Sequence, residues 1–224
     1  MCGRYGNSST PAEFRQHLAI SAAVPEYHPR YNIAPTQKAP VVRQEGSERT
    51  LDLMRWGIQL PPKADGKKGP PIFNIRAETL LTNGLWKSRL LKARVVAPAG
   101  WFYEWVAVPG QSAKQPVLIR HRDGAPLAFA ALVAKSDHEE GGLAYTLITT
   151  TTDTQPELAK IHHRWPVCLD PDSVDVWLDP ETRLEALAEL LMPPSAALFE
   201  HFPVSDLVNR VGNDSPEVAR PHTD

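Results

Sequence analysis

The chain has 224 residues and 42% hydrophobic content, which is enough for a sizeable core, and its two cysteines are too few for a disulfide framework or a cysteine zinc site. Its net charge of −2 argues against binding of a polyanion by bulk charge. The charge is uneven, however, since residues 1–100 hold 15 Lys and Arg against 7 Asp and Glu, whereas residues 101–224 hold 9 against 19. A basic groove for a phosphate backbone is plausible in the first part, although charge runs are more often solvated faces.

No apolar run approaches the roughly 18 residues that a membrane helix needs, and the start of the chain lacks the basic-then-apolar plan of a signal peptide. We therefore expect a cytoplasmic protein that makes no membrane contact.

The start of the chain places a cysteine directly after Met1. If Met1 is removed, Cys2 carries a free α-amine beside its thiol. An aldehyde condenses with such an amine to a Schiff base, and the neighbouring thiol then closes a five-membered thiazolidine ring. The α-amine titrates at about 7.7–8.0, so a useful fraction is nucleophilic near neutral pH. The alternative is that position 2 has no chemical role.

Local signals predict the first elements in chain order. Residues 10–13 (Thr-Pro-Ala-Glu) form a capping box that begins a short helix, and residues 22–40 are typical of an ordered loop. Strands are predicted at 40–44 and 50–56, and the Pro/Gly/Lys-rich stretch 61–71 is a surface loop. Leucine spacing predicts a helix over 77–92 that breaks near 83–84.

The second half changes to a strand pattern. β-Branched and aromatic runs predict strands at 94–107, 116–122, 126–134 and 144–152, and a final helix is predicted to begin at Asp179-Pro180. The fold class is therefore α+β: a largely antiparallel sheet or barrel core with flanking helices. We expect one domain over 1–224.

Asn74 and Arg76 lie just before the helix predicted at 77–92. An amide both donates and accepts hydrogen bonds, so Asn74 can orient a sugar hydroxyl or a Schiff-base intermediate; the alternative is that it caps the helix. Arg76 can pair with a phosphate, or Glu78 can hold it in an ion pair.

Glu104 is a lone carboxylate among the aromatic residues of the strand predicted at 94–107. Apolar surroundings raise the pKa of a carboxyl group toward the range for acid–base catalysis. Strand alternation puts Glu104 on one face with Phe102, and Trp101, Tyr103 and Trp105 on the other. The alternative is that the face of Glu104 is exposed.

His162, His163 and Arg164 lie at a junction between a helical stretch and a strand. Histidine is the natural proton shuttle near neutral pH, although two surface histidines are an equal alternative. Adjacent histidines seldom bind the same ion, so a metal site is not indicated. The threonines at 149–152 could supply a hydroxyl, but such a run mostly indicates a strand.

Together these segments resemble the SRAP (SOS response-associated peptidase-like) family over nearly the whole chain. The matching segments, in chain order, are Met-Cys-Gly-Arg-Tyr at 1–5, Tyr-Asn-Ile-Ala-Pro-Thr at 31–36, Arg-Trp-Gly at 55–57, Asn-Ile-Arg-Ala-Glu-Thr at 74–79, Pro98-Ala99 with Phe-Tyr-Glu-Trp at 102–105, Ile-Thr-Thr at 148–150, and His162, Arg164 and Pro166. This sequence departs from the family pattern at Ile75, at Trp165 and at Gly100-Trp101, which flank the matching positions.

The resemblance implies covalent capture of abasic sites in single-stranded DNA, including single-strand/double-strand junctions, by a monomer that needs no metal or organic cofactor. It assigns catalysis to four residues: Cys2, Asn74, Glu104 and His162. It assigns contacts with DNA to five others: Arg4, Trp56, Arg76, Thr150 and Arg164.

Two other functions fit parts of the sequence. A thiol peptidase would use Cys2 to remove Met1 or to cleave peptides, but it would not require a basic N-terminal half. A non-covalent reader of modified bases would need a pocket but no aminothiol.

Overall fold

The computed structural model describes residues 2–62, 65–135 and 142–222. The helices are α1 (Pro11–Leu18), α2 (Ala77–Thr82), α3 (Gly84–Lys92), α4 (Pro156–Ala159), α5 (Pro171–Leu178) and α6 (Leu184–Glu189). The strands are β1 (Tyr5–Asn7), β2 (Arg30–Ile33), β3 (Lys38–Glu45), β4 (Glu48–Trp56), β5 (Asn74–Arg76), β6 (Arg94–Ala99), β7 (Trp101–Val106), β8 (Gln115–His121), β9 (Leu127–Lys135), β10 (Leu143–Thr151), β11 (Arg164–Pro166), β12 (Cys168–Leu169) and β13 (Phe199–Pro203).

Five strands close into a barrel. The larger sheet runs β11-β10-β4-β3-β6-β9-β12, and β10 also pairs with β9, so that β10, β4, β3, β6 and β9 form a ring. The pairings within this ring are antiparallel except for β4 with β10. A second sheet, in the order β13-β8-β7-β1-β2, is antiparallel throughout. The α+β prediction, with a largely antiparallel barrel core and flanking helices, is confirmed.

Strand alternation divides the core between the two faces of the barrel strands. Val41 and Val95 point to an inner cluster with Cys2 and Phe102, whereas Val96 packs on the opposite face against the helices. A third cluster, between the second sheet and the C-terminal segment, contains Tyr103, Leu118, Val204, Val208 and Val218. The first residues of the chain are thus held between sheet and barrel.

Most of the predicted elements are present. The side chain of Thr10 accepts from the N–H of Glu13, and the Glu13 carboxylate accepts in return, so the capping box that begins α1 is confirmed. Asn83 ends α2 and caps α3, which is the predicted break. In the predicted loop 61–71, residues 63 and 64 lie outside the described residues and the others form no helix or strand.

The predicted start of the final helix is wrong. Asp179 is the C-cap of α5, which begins after the N-cap Asp170, and α6 begins at Leu184. Proline cannot continue a helix, so Pro180 follows the end of one helix and does not open the next. None of the helices within the described ranges is long and apolar enough to cross a membrane.

Candidate active site

Cys2 and Asn74 meet through a direct hydrogen bond. Asn74 lies on β5, which runs parallel to β10 with Asn74 opposite Leu147. From this strand its Nδ2 donates to the main-chain oxygen of Cys2 at 2.7 Å. The capping alternative is wrong, because Arg76 occupies the N-cap of α2 and makes no side-chain cap bond. The Oδ1 atom of Asn74 is buried and has no hydrogen-bond partner among the described residues, so it is available to a substrate group.

The thiol of Cys2 is fully buried and is 3.9 Å from the main-chain oxygen of Arg4. Burial, and then the negative charge of Glu104, raise the pKa of this thiol well above its ordinary value. The resting state therefore favours the neutral thiol. Among the carboxylates, Glu104 has the largest effect on the pKa of this thiol.

Glu104 lies on the inner face of β7, and 4% of its surface is exposed. Its neighbour Phe102 belongs to the inner cluster with Cys2, whereas Tyr103 faces the third cluster, so the predicted alternation is confirmed. Burial raises the pKa of Glu104 above its ordinary value. The alternative of an exposed carboxylate is excluded.

His162 lies in the short connection between α4 and β11, after a helix and before a strand as the sequence predicts. Its ring is half-buried and stacks on His163 with centroids 4.4 Å apart. Burial, together with the charge of His163, lowers the pKa of His162 to about 4, so the ring is neutral near pH 7. The charge of Lys114 lowers the pKa values of both His162 and Glu104, so both groups lie within electrostatic reach of this lysine.

Arg4 is held by the protein itself. Its Nη1 donates to Oδ1 of Asn32 at 2.8 Å and to the oxygen of Val208 at 2.7 Å. The guanidinium lies 5.8 Å from the ring centroid of Trp105, and burial lowers its pKa. This arginine therefore fixes the strand that follows Cys2, and only part of its surface faces solvent.

The other two arginines differ in their surroundings. Nη1 of Arg164 donates to both carboxylate oxygens of Glu78, at 2.8 and 2.9 Å, so Glu78 holds Arg164. Arg76 is exposed. Its charge lowers the pKa of Glu78 less than the hydrogen bond and the charge of Arg164 do, whereas burial raises that pKa. Of the three arginines, Arg76 is the one whose side chain is open to a phosphate.

Trp56 and Thr150 do not line the surface. Trp56 is fully buried, donates its indole N–H to the oxygen of Phe73 at 2.8 Å, and packs edge-on against Tyr5. This bond holds the chain that leads into Asn74, and the contact of Trp56 with DNA stays a prediction. Thr150 is 4% exposed and pairs with Trp165 across β10 and β11.

Two further residues support the site: Asn32, which was not among the predicted site residues, and Thr152, one of the threonines that could supply a hydroxyl. Asn32 is fully buried, and besides accepting from Arg4 it donates through Nδ2 to main-chain oxygens of the C-terminal segment. The hydroxyl of Thr152 donates to the oxygen of His162 at 3.1 Å. Asn32 lies within the Tyr-Asn-Ile-Ala-Pro-Thr segment at 31–36. Its position between Tyr31 and Ile33 is the sequence signal that could have indicated a buried amide.

The arrangement can carry out condensation chemistry. It combines a cysteine main chain anchored by an amide, a carboxyl group with a raised pKa and a neutral imidazole. Cys2 and Cys168 are both unbridged. Within the described residues, no three His, Cys, Asp or Glu side chains group so as to hold a metal ion.

Comparison with known proteins gives a consistent result. The chain is 36% identical over 225 residues to the abasic site processing protein YoqW of Bacillus subtilis (strain 168), covering 99% of this chain and 100% of the relative. It is 30% identical to the abasic site processing protein YedK of Escherichia coli (strain K12), again over 99% and 100%. It is 32% identical to the abasic site processing protein HMCES of Gallus gallus, over 99% of this chain and 78% of the relative.

Solved structures share the fold. A crystal structure of a Bacteroides thetaiotaomicron protein superposes with a TM-score of 0.82 at 17% identity, over 99% of this chain and 100% of the other. A phage-related protein of Bordetella bronchiseptica gives 0.72 at 29% identity, over 91% and 94%. Residues 1–211 match the family described as SOS response associated peptidase (SRAP), and the chain therefore belongs to the SRAP family.

Proposed function

We propose that this protein captures abasic sites in single-stranded DNA by forming a thiazolidine between the deoxyribose aldehyde and Cys2, once Met1 has been removed. The hydrogen bond from Asn74 to the main chain of Cys2 supports this proposal most directly, because it holds a residue that can become an aminothiol. The buried carboxyl group of Glu104 also acts electrostatically on the Cys2 thiol. Relatives at 30–36% identity are named abasic site processing proteins, which supports the substrate class.

The chemistry proceeds in two bond-forming steps. The amine of Cys2 attacks the aldehyde carbon, and loss of one water leaves a Schiff base. The thiol then adds across the C=N bond: sulfur bonds to carbon and the proton moves to nitrogen. The second step is intramolecular, so it gains the large effective concentration of a neighbouring group.

The resting thiol need not be ionised for this sequence. Its raised pKa disfavours the thiolate, whereas the amine can attack first. Glu104 is the nearby carboxylate that can exchange a proton during ring opening and closure, and its raised pKa brings it closer to neutral pH. The neutral ring of His162 can take up the proton that the amine loses on attack.

Two groups of contacts support the reacting atoms. The hydrogen bond from Asn74 fixes the main chain of Cys2, while its buried Oδ1 remains to orient the amine or a sugar hydroxyl. Arg76 is the open cation for a phosphate, and Arg164 can follow if a phosphate displaces Glu78.

A thiol peptidase is the competing function. Cysteine peptidases attack with a thiolate whose pKa has been lowered by a neighbouring cation. In this protein burial and Glu104 raise the pKa of the thiol, which favours the amine-first reaction.

A denaturing gel tests the proposal. Mature protein is incubated with a labelled single-stranded oligonucleotide that carries one abasic site. We expect an SDS-resistant shifted band for the native protein, none for Cys2→Ala, and none for a protein with an alanine added before Cys2, because the amine is then tied in an amide. A full band from Cys2→Ala would contradict the proposal, and turnover of peptides without any band would favour the peptidase.

A further inference from the structure

Two tyrosine hydroxyl groups meet in the part of the core that contains Cys2. The hydroxyl oxygens of Tyr5 and Tyr145 lie 2.5 Å apart, and both side chains are fully buried. Tyr5 begins β1 shortly after Cys2, whereas Tyr145 lies on β10, two residues before the residue that pairs with Asn74. Both tyrosines belong to the inner cluster with Cys2. The pair therefore joins the start of the chain to the strand beside Asn74.

This pair has one hydrogen more than its own bond uses. Each hydroxyl group has one hydrogen to donate, and either oxygen can be the acceptor. Whichever hydroxyl donates to the other, the second keeps a hydrogen that has no acceptor among the described residues. The surroundings are aromatic, since Trp56 stacks on Tyr145, and Trp56 and Phe129 pack edge-on against Tyr5. A buried donor without an acceptor destabilises a fold, so this spare hydrogen requires an explanation.

The sulfur of Cys2 is the group that the spare hydrogen can serve. The charge of Cys2 raises the pKa values of both tyrosines, so the sulfur lies within electrostatic reach of each hydroxyl group. In the resting structure the neutral thiol contacts the main-chain oxygen of Arg4. Glu104 and Cys168 raise the pKa of this thiol beyond the effect of burial, whereas the amino terminus lowers it. A negative charge on the sulfur therefore needs a donor.

The two tyrosines can donate a hydrogen bond while they keep their protons. Burial raises the pKa of both hydroxyl groups well above the ordinary value, so both groups stay neutral. A neutral hydroxyl stabilises a nearby negative charge by pointing its hydrogen toward that charge, and a hydrogen bond to an ionised acceptor is stronger than one between neutral groups. Because the surroundings are dry and aromatic, this electrostatic effect is larger here than in water.

We propose that the Tyr5–Tyr145 pair is a positioning group that turns its spare hydrogen toward the Cys2 sulfur as negative charge develops there, and so speeds closure of the thiazolidine ring. The use of the pair in ring closure rests on the function proposed above, whereas its effect on the sulfur needs no DNA.

Ring closure is the step in which the sulfur carries most charge. The S–H bond breaks, the sulfur bonds to the carbon of the Schiff base, and the electron pair of the C=N bond moves to nitrogen, which takes the proton. The tyrosines neither gain nor lose an atom in this step. Their hydrogen bond stabilises the sulfur only while its proton is leaving, so it lowers the barrier to closure.

A small aldehyde tests the pair without DNA. Mature protein is incubated with propanal at several pH values, and samples taken over time are treated with sodium borohydride, digested, and measured as the mass of the N-terminal peptide. A Schiff base gains two hydrogens and a thiazolidine does not, so the time course separates closure from attack by the amine. The variants are Tyr5→Phe, Tyr145→Phe and the double variant. Tyr27→Phe is the control, because it removes a hydroxyl bond to the main chain of Asn7 at the other end of β1.

Stability and ring closure should respond in opposite orders. Each single variant leaves one hydroxyl without its partner, so we expect both to unfold at a lower temperature than the double variant, in which apolar rings replace the pair. Each single variant keeps a hydroxyl that can turn toward the sulfur, so we expect closure at the native rate. The double variant should close about tenfold more slowly, with its pH–rate profile displaced to higher pH, because a hydrogen bond to a charged group is lost.

Two results would overturn the role of the pair. The first is a native rate and an unmoved pH profile in the double variant, which would leave the pair as a structural connection between β1 and β10. The second is a rate that follows stability, with the slowest closure in the single variants. The Tyr27→Phe protein should close at the native rate, and a loss equal to that of the double variant would also contradict the proposal.

The native protein distinguishes this proposal from the proposed function. A native protein that forms no thiazolidine with propanal would overturn a role of the pair in ring closure. Normal closure on propanal without any crosslink to abasic DNA would contradict the proposed function and leave the effect of the tyrosines intact.

Discussion

The amide of Asn74 donates to the main-chain oxygen of Cys2 at 2.7 Å, and so connects the first residues of the chain to a strand of the barrel sheet. This bond fixes the carbonyl carbon next to the atoms that would react.

Asn74→Ala removes the donor and the buried Oδ1 together. A hydrogen bond of this kind contributes about 1 kcal/mol net, which is about fivefold in a rate, and the buried Oδ1 is lost as well, so we expect crosslinking to slow by about fivefold or more. Single-turnover rates from quenched gels measure the effect. The matched control is Asn83→Ala, which removes an N-cap that serves Leu85 and Trp86 and lowers stability by about 1 kcal/mol without touching the site. Equal rates for native and Asn74→Ala proteins would show that Asn74 has no role in the reaction.

Glu104→Gln should stabilise the fold at neutral pH while it slows crosslinking. Burial raises the pKa of Glu104 in the folded state, so the folded protein holds that proton more tightly than the unfolded chain. The native protein is then most stable, with respect to this group, below the unfolded pKa of about 4.3, and loses that stability as pH rises through the folded pKa. A neutral glutamine abolishes the loss.

Thermal unfolding from acidic to neutral pH measures this difference. Glu48→Gln, at an exposed position on the β3–β4 hairpin, serves as the control for removal of one negative charge. A Glu104→Gln protein that is less stable than the native protein at neutral pH would show that the ionised carboxylate is well accommodated.

His162→Gln should reduce the sensitivity of the fold to acid. The folded-state pKa of about 4 lies below the unfolded value of about 6.5, so stability from this group is present above pH 6.5 and is lost as pH falls toward 4. The native protein should therefore lose stability across this window faster than His162→Gln. Urea unfolding at several pH values measures it, with the exposed residue His28 changed to Gln as the control. Parallel curves for native and His162→Gln proteins would contradict the lowered pKa.

Glu78→Gln should strengthen DNA binding by releasing Arg164. A freed guanidinium can neutralise one more phosphate, which steepens the slope of log K against log salt by about 0.7 for single-stranded DNA. Fluorescence anisotropy with an intact oligonucleotide measures the slope without crosslinking. Glu48→Gln again controls for net charge, and an unchanged slope in Glu78→Gln would show that Arg164 does not reach the backbone.

The limits of local sequence signals are plain in two identical dipeptides. Asp170-Pro171 begins α5, whereas Asp179-Pro180 ends it, although both carry the usual start signal of an N-cap followed by proline. Tertiary packing determines which of the two dipeptides begins a helix. Val174 and Trp177, which follow Pro171, are buried, whereas the leucines after Pro180 form a helix only from Leu184. In the capping box of α1, Thr10 and Glu13 each accept a hydrogen bond from the other's main-chain N–H, and the helix start predicted from that pair is confirmed.

The site shows the same division. Alternation along β7 was enough to place Glu104 with Phe102, because the period of a strand is a local property. The burial of a side chain, by contrast, depends on the whole fold. The segment Arg-Trp-Gly at 55–57 does not indicate that Trp56 lies wholly in the core while Arg55 is half-buried. Nor could the sequence alone pair Glu78 with Arg164, which are brought together by the pairing of β5 and β11 with β10.

In the proposed adduct the amine and the thiol of Cys2 both bond to the same aldehyde carbon. Intact mass spectrometry of the mature protein with an abasic oligonucleotide tests it, with sodium borohydride added before denaturation, and with Cys2→Ser as a variant that keeps the amine. A thiazolidine resists reduction, whereas a Schiff base gains two hydrogens. We expect a native adduct of unchanged mass with or without borohydride, and a Cys2→Ser adduct that survives only after reduction. A native adduct that appears only after reduction, or one that maps by proteolysis to a lysine, would contradict it.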